Sequence, residues 1–272
     1  MVPKIAKHAM QVALDAAWKH QILTFPNPSV GAVCWSKDKG LISVGAHQYA
    51  GGPHAEVLAL QAAFAHLTVN NEILSLKNSF EIHEYLLMHH GGIFEDISLS
   101  VTLEPCSHKG KTPSCALLLN VLKPKEIYIG CLDSNPIAEG GAKILQDSGV
   151  KVNIGILETA CKTLLEPFNK WSKGSFVFFK WAQRLDGTID NGVISTLESR
   201  KHVHALRNCC DLIVIGGSTV RKDEPYLDAR LVNGKAPDVL ILSNRNDFDR
   251  TLPLFNVPNR RVFIESTLDR VK

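Results

Sequence analysis

The sequence predicts an α/β protein: a mixed sheet with helices on both faces, followed by a second, shorter α/β unit. Three observations predict it. Apolar runs with strand and helix periods alternate through the first 150 residues. The alternation starts afresh near Phe168. The stretch between, "ILETACKTLLEPFNKWSKGS", is helical in composition and not Gly/Ser-rich, so it reads as a packed connection.

The elements follow in order. Residues 5–20 place Ile5, Ala9, Val12 and Ala16 in a helical pattern broken by Lys and Asp. "SVGAVCW" (29–35) and "LISVGAHQY" (41–49) read as strands either side of the polar turn "SKDKG". A helix is expected from Pro53 to His66, with Gly52 as its cap. "ISLSVTL" (97–103), "KEIYIGC" (125–131) and "VKVNIGI" (150–156) are strands, separated by helices at 113–122 and 139–149. Residues 68–96 exceed what a loop needs and read as an insertion with its own helix at 78–90, a surface helix or oligomer contact. The expected organisation is a first domain at 1–150, a linker at 151–167 and a second domain at 168–272. In that second domain "SFVFFKWAQRLDGTID" is a strand entering a turn. "STLESRKHVHALR" is a helix capped by Ser195 or Thr196, and "DLIVIGGSTV", "APDVLILSNR" and "RRVFIES" carry further strands.

Composition excludes more than it identifies. The chain has 272 residues, 45% hydrophobic and 21% charged, with a net charge of +3. That balance gives no argument for nucleic acid or a membrane as partner, and no apolar run approaches the ~18–20 residues of a membrane span. The N-terminal stretch is amphipathic and lacks the solid apolar core of a secretory signal. Seven cysteines without an export signal point to the reducing cytosol, where thiols are buried, metal-bound or catalytic.

Two stretches carry the chemistry. "GGPHAE" (51–56) puts His54 and Glu56 at a helix entrance, and "TLEPCSHKGKTPSC" (102–115) puts Cys106 after a strand and Cys115 at the next helix start, with Thr112 and Pro113 as cap and first position. One His and two Cys make the three-ligand set of a catalytic zinc, which keeps a fourth position open. Glu56 is then the proton carrier, as in the zinc deaminases, where a glutamate near the metal is not a ligand. Alone, a His-x-Glu pair is usually coincidence and two cysteines nine apart are usually packing thiols. The combination is specific. The remaining cysteines, Cys34, Cys131, Cys161, Cys209 and Cys210, read as small apolar groups. His83, His89 and His90 lack the Cys or carboxylate spacing of a further metal site.

The cysteines bracket a longer loop than the Pro-Cys-x-x-Cys of nucleoside and nucleic-acid deaminases. With "NPSVGAVC" (27–34), "GGPHAE" and "DSNPIAEGG" (133–141), that loop closely resembles the bifunctional riboflavin-biosynthesis deaminase–reductase family. The resemblance implies a cytidine-deaminase-like first domain and a dihydrofolate-reductase-like second one. It implies removal of the ring amino group of a diaminopyrimidinone bearing a 5-phosphoribosylamino group, then reduction of ribosyl to ribityl by NADPH. It assigns zinc to His54, Cys106 and Cys115, the proton shuttle to Glu56, and substrate contacts to Asn27, His108, Lys111, Asp133 and Asn135. Each contact has a plainer reading: Asn27, Asp133 and Asn135 as turn formers, and the loop with Lys109 and Lys111 as a solvated basic loop.

The second domain resembles the reductase at "KWAQRLDG" and "LRNCCDLIVIGGSTVRKDEPYLDAR". The match puts Thr219, Asp223 and Ser195 on cofactor positions, and Arg207, Leu227 and Arg230 on substrate positions. Arg184 and Val193 stand where the family has Ser and Trp, and the family's later Glu-Gly-Gly segment has no counterpart here, so an incomplete reductase domain is expected. The expected partners are a small phosphorylated pyrimidine and further copies of the chain. Two other readings stay open: a nucleoside or RNA deaminase, and a non-catalytic zinc-stabilised assembly protein.

Overall fold

The computed structural model describes residues 2–108, 110–133, 135, 138–189 and 192–266. It divides into two compact units, Met1–Phe176 and Val177–Lys272. Among the described residues no helix is long and apolar enough to cross a membrane.

The first unit is built on a five-stranded sheet, in the order β2 (Gly40–Ala46), β1 (Gly31–Ser36), β3 (Ser98–Leu103), β4 (Glu126–Cys131) and β5 (Lys151–Ile154). β1 runs antiparallel to β2 and β3, whereas β3, β4 and β5 are parallel. Every residue of β1 and β3 is buried, so both faces must be covered. The period of two decides what covers each face. Ala32 and Cys34 face a core shared with α2 (Ala55–Thr68), α3 (Ser79–His89), α4 (Cys115–Leu122) and α5 (Gly141–Asp147). Val33 and Trp35 face a second core built by α1 (Lys4–Trp18) and α6 (Glu158–Ser172). Trp35 satisfies its indole N–H on the Ser100 hydroxyl at 3.0 Å. Helix α2 lies unusually close to β2: a Cβ on Gly45 would fall 2.3 Å from the Ala55 carbonyl oxygen.

The structure revises several expected boundaries. β5 pairs with β4, and α6 buries Cys161, Leu164 and Leu165 against α1, Tyr128 and Cys131. Residues 151–172 are therefore part of the first unit and not a linker, because the apolar face of α6 completes its second core. The expected helix at 78–90 is α3, a surface helix that exposes Phe80, Leu87 and Met88 and buries its other face. Ile82 and Leu86 are fully buried, with Ile73 and Phe94 of the same insertion beside them in the first core. His83 is buried too, and among the described residues neither its Nε2 nor the Ser79 hydroxyl finds a hydrogen-bond partner. Two helix starts also move: α2 begins at Ala55 with His54 as its extended cap residue, and α4 begins at Cys115, capped by the Ser114 hydroxyl, which accepts from Leu117 N–H at 3.2 Å.

The second unit holds a parallel sheet, β6 (Leu212–Gly216), β7 (Asp238–Leu242) and β8 (Val262–Glu265), with α7 (Leu197–Cys209) and α8 (Gly217–Asp223). Its core gathers Val220, Leu227, Val239, Ile241, Phe248 and Leu254. Thr196, not Ser195, caps α7, accepting from Ser199 N–H at 3.2 Å. The strand expected at "SFVFFKWA" does not form. Its alternating Val177, Phe179 and Trp181 are exposed, and no strand pairs with it among the described residues. A strand pattern becomes a strand only when a neighbour takes up its backbone groups.

Candidate metal centre and cleft

Cys106 follows the end of β3, His54 caps α2, and Cys115 opens α4. The turn of each element brings a donor to one point. The Sγ atoms of Cys106 and Cys115 lie 3.6 and 3.4 Å from the same atom, Nδ1 of His54. A tetrahedral zinc with Zn–S near 2.3 Å and Zn–N near 2.0–2.1 Å sets its sulfur and nitrogen about 3.6 Å apart. Both sulfur–nitrogen edges thus already match such a site, and the three donor atoms all lie within 4.8 Å of one another. Among the described residues no other group of three or more His, Cys, Asp or Glu comes together in this way.

The environment prepares these donors. A hydrogen bond from the Cys115 thiol drives Cys106 down to about 4, while that donation and burial push Cys115 well up. The sulfur pair shares one proton at the place where a cation fits. The Thr112 hydroxyl, buried, holds Nε2 of His54 at 3.1 Å, which leaves Nδ1 to face the sulfurs. Glu56, in the first turn of α2 and 3% exposed, is raised to about 7 by burial, against the pull of the nearby His54. A carboxyl group in that range both takes and returns a proton near neutrality.

A cleft of about 270 Å³ opens over this centre. His54, Glu56 and Cys106 line it, together with Asn27, His108, Lys111, Asp133 and Asn135. The resemblance had named all of them. Lys109 lies outside the described residues. Cys115 sits behind the wall, fully buried. The cleft stands at the carboxyl ends of β3 and β4, where parallel sheets place ligand sites.

Two lining residues escaped the sequence reading. His47, at the end of β2, contacts Pro53 O through Nδ1 at 3.0 Å and Asn27 Nδ2 through Nε2 at 3.1 Å. Burial lowers it to about 4, so the ring is neutral, donates from Nδ1 and accepts at Nε2 from Asn27. The Asn27 amide is thereby fixed with its N–H toward His47. The signal was a lone His in "VGAHQY", too common a feature to single out. Glu104 is the other. Its carboxylate is buried and accepts from the backbone N–H groups of Asp133 (3.0 Å), Gly140 (3.2 Å) and Ala142 (2.8 Å).

In the second unit the expected substrate residues meet at one loop: Leu227 and Arg230 lie on it, and Arg207 reaches it from α7. Arg207 Nη1 donates to the Asp228 carbonyl at 3.1 Å, and Arg230 pairs with the Asp228 carboxylate at 2.6 Å with its guanidinium over the Tyr226 ring. Leu227, between them, is buried at φ +53°, a conformation rare for a branched side chain. Arg260 holds that bend by donating to the carbonyls of Tyr226 and Leu227, each at 2.5 Å. Thr219 and Asp223 lie exposed on α8, and Ser195 directly precedes the cap of α7. Among the described residues no hydrogen bond joins Ser195 to Thr219 or Asp223.

Comparison with known proteins agrees with this division. The chain matches the cytidine and deoxycytidylate deaminase zinc-binding region over residues 3–131 and the RibD C-terminal domain over residues 175–271. It is 33% identical to the riboflavin biosynthesis protein RibD of Aquifex aeolicus, over 89% of this chain and 62% of that protein. To the same-named protein of Corynebacterium ammoniagenes it is 31% identical, over 91% and 69%. The crystal structure of a diaminohydroxyphosphoribosylaminopyrimidine deaminase/5-amino-6-(5-phosphoribosylamino)uracil reductase from Thermotoga maritima superposes with a TM-score of 0.64 at 32% identity, covering 96% of this chain and 70% of that one. The chain thus spans about three fifths of the Aquifex aeolicus relative's length.

Proposed function

Starting from a chain that belongs to the family of the riboflavin biosynthesis protein RibD, we propose that its first unit is a zinc-dependent hydrolytic deaminase. The proposed substrate is 2,5-diamino-6-(5-phosphoribosylamino)pyrimidin-4(3H)-one, and the product 5-amino-6-(5-phosphoribosylamino)uracil. The observation that carries this is the meeting of both sulfurs at zinc-edge distance from one His54 nitrogen, with Glu56 buried beside them in the cleft.

His54, Cys106 and Cys115 would hold the metal. A zinc held there would supply a water whose pKa is lowered toward ~7, and so a nucleophile near neutral pH. Glu56 takes one proton of the attacking water and passes it to the ring nitrogen, which keeps it in the product; it then takes the remaining proton of the new hydroxyl and passes it to the departing amino group. The C–O bond forms, the C–N bond breaks, and ammonia leaves. Asn27 lines the cleft with its Nδ2 held by His47, and its side-chain oxygen would accept from N–H groups on the pyrimidine edge. His108 and Lys111, exposed at the rim, suit the phosphate end of the substrate. Asp133 and Asn135 border the opposite side.

The second unit is proposed as the part that reduces ribosyl to ribityl with NADPH, supported by its family match and the cationic loop around Asp228. Arg207, Leu227 and Arg230 would contact substrate there, and Thr219, Asp223 and Ser195 the nicotinamide cofactor. The proposed setting is the cytosol, consistent with seven free thiols. Self-association is proposed on the exposed apolar side chains of α3 and α4, Met88, Leu117 and Val121, with light scattering as its measure.

The deciding experiment measures ammonia release from the phosphoribosylaminopyrimidine, cytidine and RNA, with and without NADPH, and follows the ribityl product. Ammonia from the first substrate alone supports the deaminase reading. Preference for cytidine or RNA would move the chain to another deaminase class. No ammonia from a zinc-loaded protein would leave a non-catalytic zinc protein.

A further inference from the structure

Glu104 is the last group before the Pro105-Cys106 corner, and its buried carboxylate bonds to the backbone of the segment after β4, which also lines the cleft. One oxygen, Oε2, accepts from Asp133 N–H at 3.0 Å; the other, Oε1, accepts from Gly140 and Ala142 N–H at 3.2 and 2.8 Å. An ionised carboxylate only accepts, and bonds to it are about twice as strong as neutral ones. Asp133 in turn accepts from Asn135 N–H at 2.9 Å, so Glu104, Asp133 and Asn135 form one chain of contacts. The same two segments close elsewhere. Ser107 N–H donates to Ala138 O at 3.1 Å, and Gly141 packs so tightly that a Cβ there would fall 1.8 Å from Pro105 O.

We propose that Glu104 is a positioning residue of the deaminase: it moors the Asp133–Asn135 rim to the cysteine loop, so that the substrate-facing side chains and the metal centre share one frame. This rests on the deaminase reading above. Glu104 has no proposed contact with substrate. Its effect runs through Asp133 and Asn135.

The two oxygens face different numbers of donors, which makes the test asymmetric. In Glu104→Gln the amide oxygen is best spent on the pair Gly140 and Ala142. The new NH2 group then faces Asp133 N–H, donor against donor, and that contact is lost.

Full-length zinc-loaded Glu104→Gln is compared with wild type by backbone amide exchange, zinc content and steady-state ammonia release from the phosphoribosylaminopyrimidine. The expected result is faster exchange at Asp133, by tenfold or more, with Ala142 still protected. KM rises by about ten- to a hundredfold, while zinc content holds and kcat stays within about threefold. A purely structural role would lower zinc content and kcat without this split. Unchanged exchange at Asp133, or an unchanged KM, overturns the proposal. If the variant does not fold, wild type decides: an Asp133 amide exchanging as fast as an open-loop amide overturns it, and one protected like Ala142 supports it. If wild type releases no ammonia, the deaminase reading has failed, and the exchange arm alone judges the mooring.

Discussion

Thr112→Val deletes one hydroxyl and leaves the shape of the side chain nearly unchanged. The hydroxyl lies 3.1 Å from Nε2 of His54 in a buried position, and among the described residues no other hydrogen bond reaches that nitrogen. With Nδ1 turned to the sulfurs, Nε2 carries the ring proton, and the hydroxyl is its acceptor. Removing it leaves a buried N–H unpaired, at a cost of about 1–3 kcal/mol, and frees the ring to rotate out of line. Partners of this kind are worth about 10- to 100-fold in metal affinity, which is about 1.4–2.7 kcal/mol. The assay is competition for zinc with a chromogenic chelator on folded protein, checked by circular dichroism. Zinc affinity should fall by that factor, and the thermal midpoint of the zinc-free protein should fall by no more than the few degrees that one lost buried hydrogen bond accounts for. A folded variant whose zinc affinity stays within twofold of wild type would show that Thr112 does not set the ligand geometry.

Other changes probe other parts of the account. Glu56→Gln should keep full zinc occupancy and lose about 10²–10⁴ in turnover; ammonia release within tenfold of wild type contradicts the shuttle role. Gly45→Ala should destabilise the first unit by roughly 1–3 kcal/mol or more, since the new Cβ meets the Ala55 and Ala59 backbone at 2.3 and 2.4 Å; an unchanged urea midpoint contradicts the close approach of α2. His83 is lowered to about 4 by burial, below its ordinary value near 6.5. The unfolded chain therefore binds the extra proton between those values, and stability falls as pH drops through that window, by up to about 1.4 kcal/mol per pH unit. His83→Gln should flatten the slope measured by urea unfolding from pH 6.5 to 4.5, and equal slopes would place His83 outside the acid response.

The metal donors were legible because their chemistry is local. His54, Cys106 and Cys115 each sit where a strand or loop meets a helix, and residue type with spacing sufficed to group them. Glu104 and His47 were not legible: Glu104 accepts from backbone groups 29 to 38 residues away, and His47 fixes the Asn27 side chain 20 residues upstream. Nothing in "TLEPC" shows that its carboxylate will receive N–H groups nearly 40 residues later. The first sheet was read in order, but β5 and α6 were assigned to a linker. An amphipathic helix declares that it packs, not against what, and the partner of α6 is α1, some 150 residues upstream. The apolar alternation at Val177, Phe179 and Trp181 shows the converse limit: a strand pattern without a paired neighbour stays an open segment. Thr112 was read as a helix cap. That role falls to Ser114, and Thr112 serves the imidazole instead.

X-ray absorption at the zinc edge on the purified, zinc-loaded chain tests the central claim most directly. The account predicts one zinc per chain with two sulfur scatterers near 2.3 Å and two light-atom scatterers near 2.0–2.1 Å: the His54 nitrogen and one exchangeable ligand. A spectrum with four sulfurs, or none, or a chain that retains no zinc at all, would contradict it.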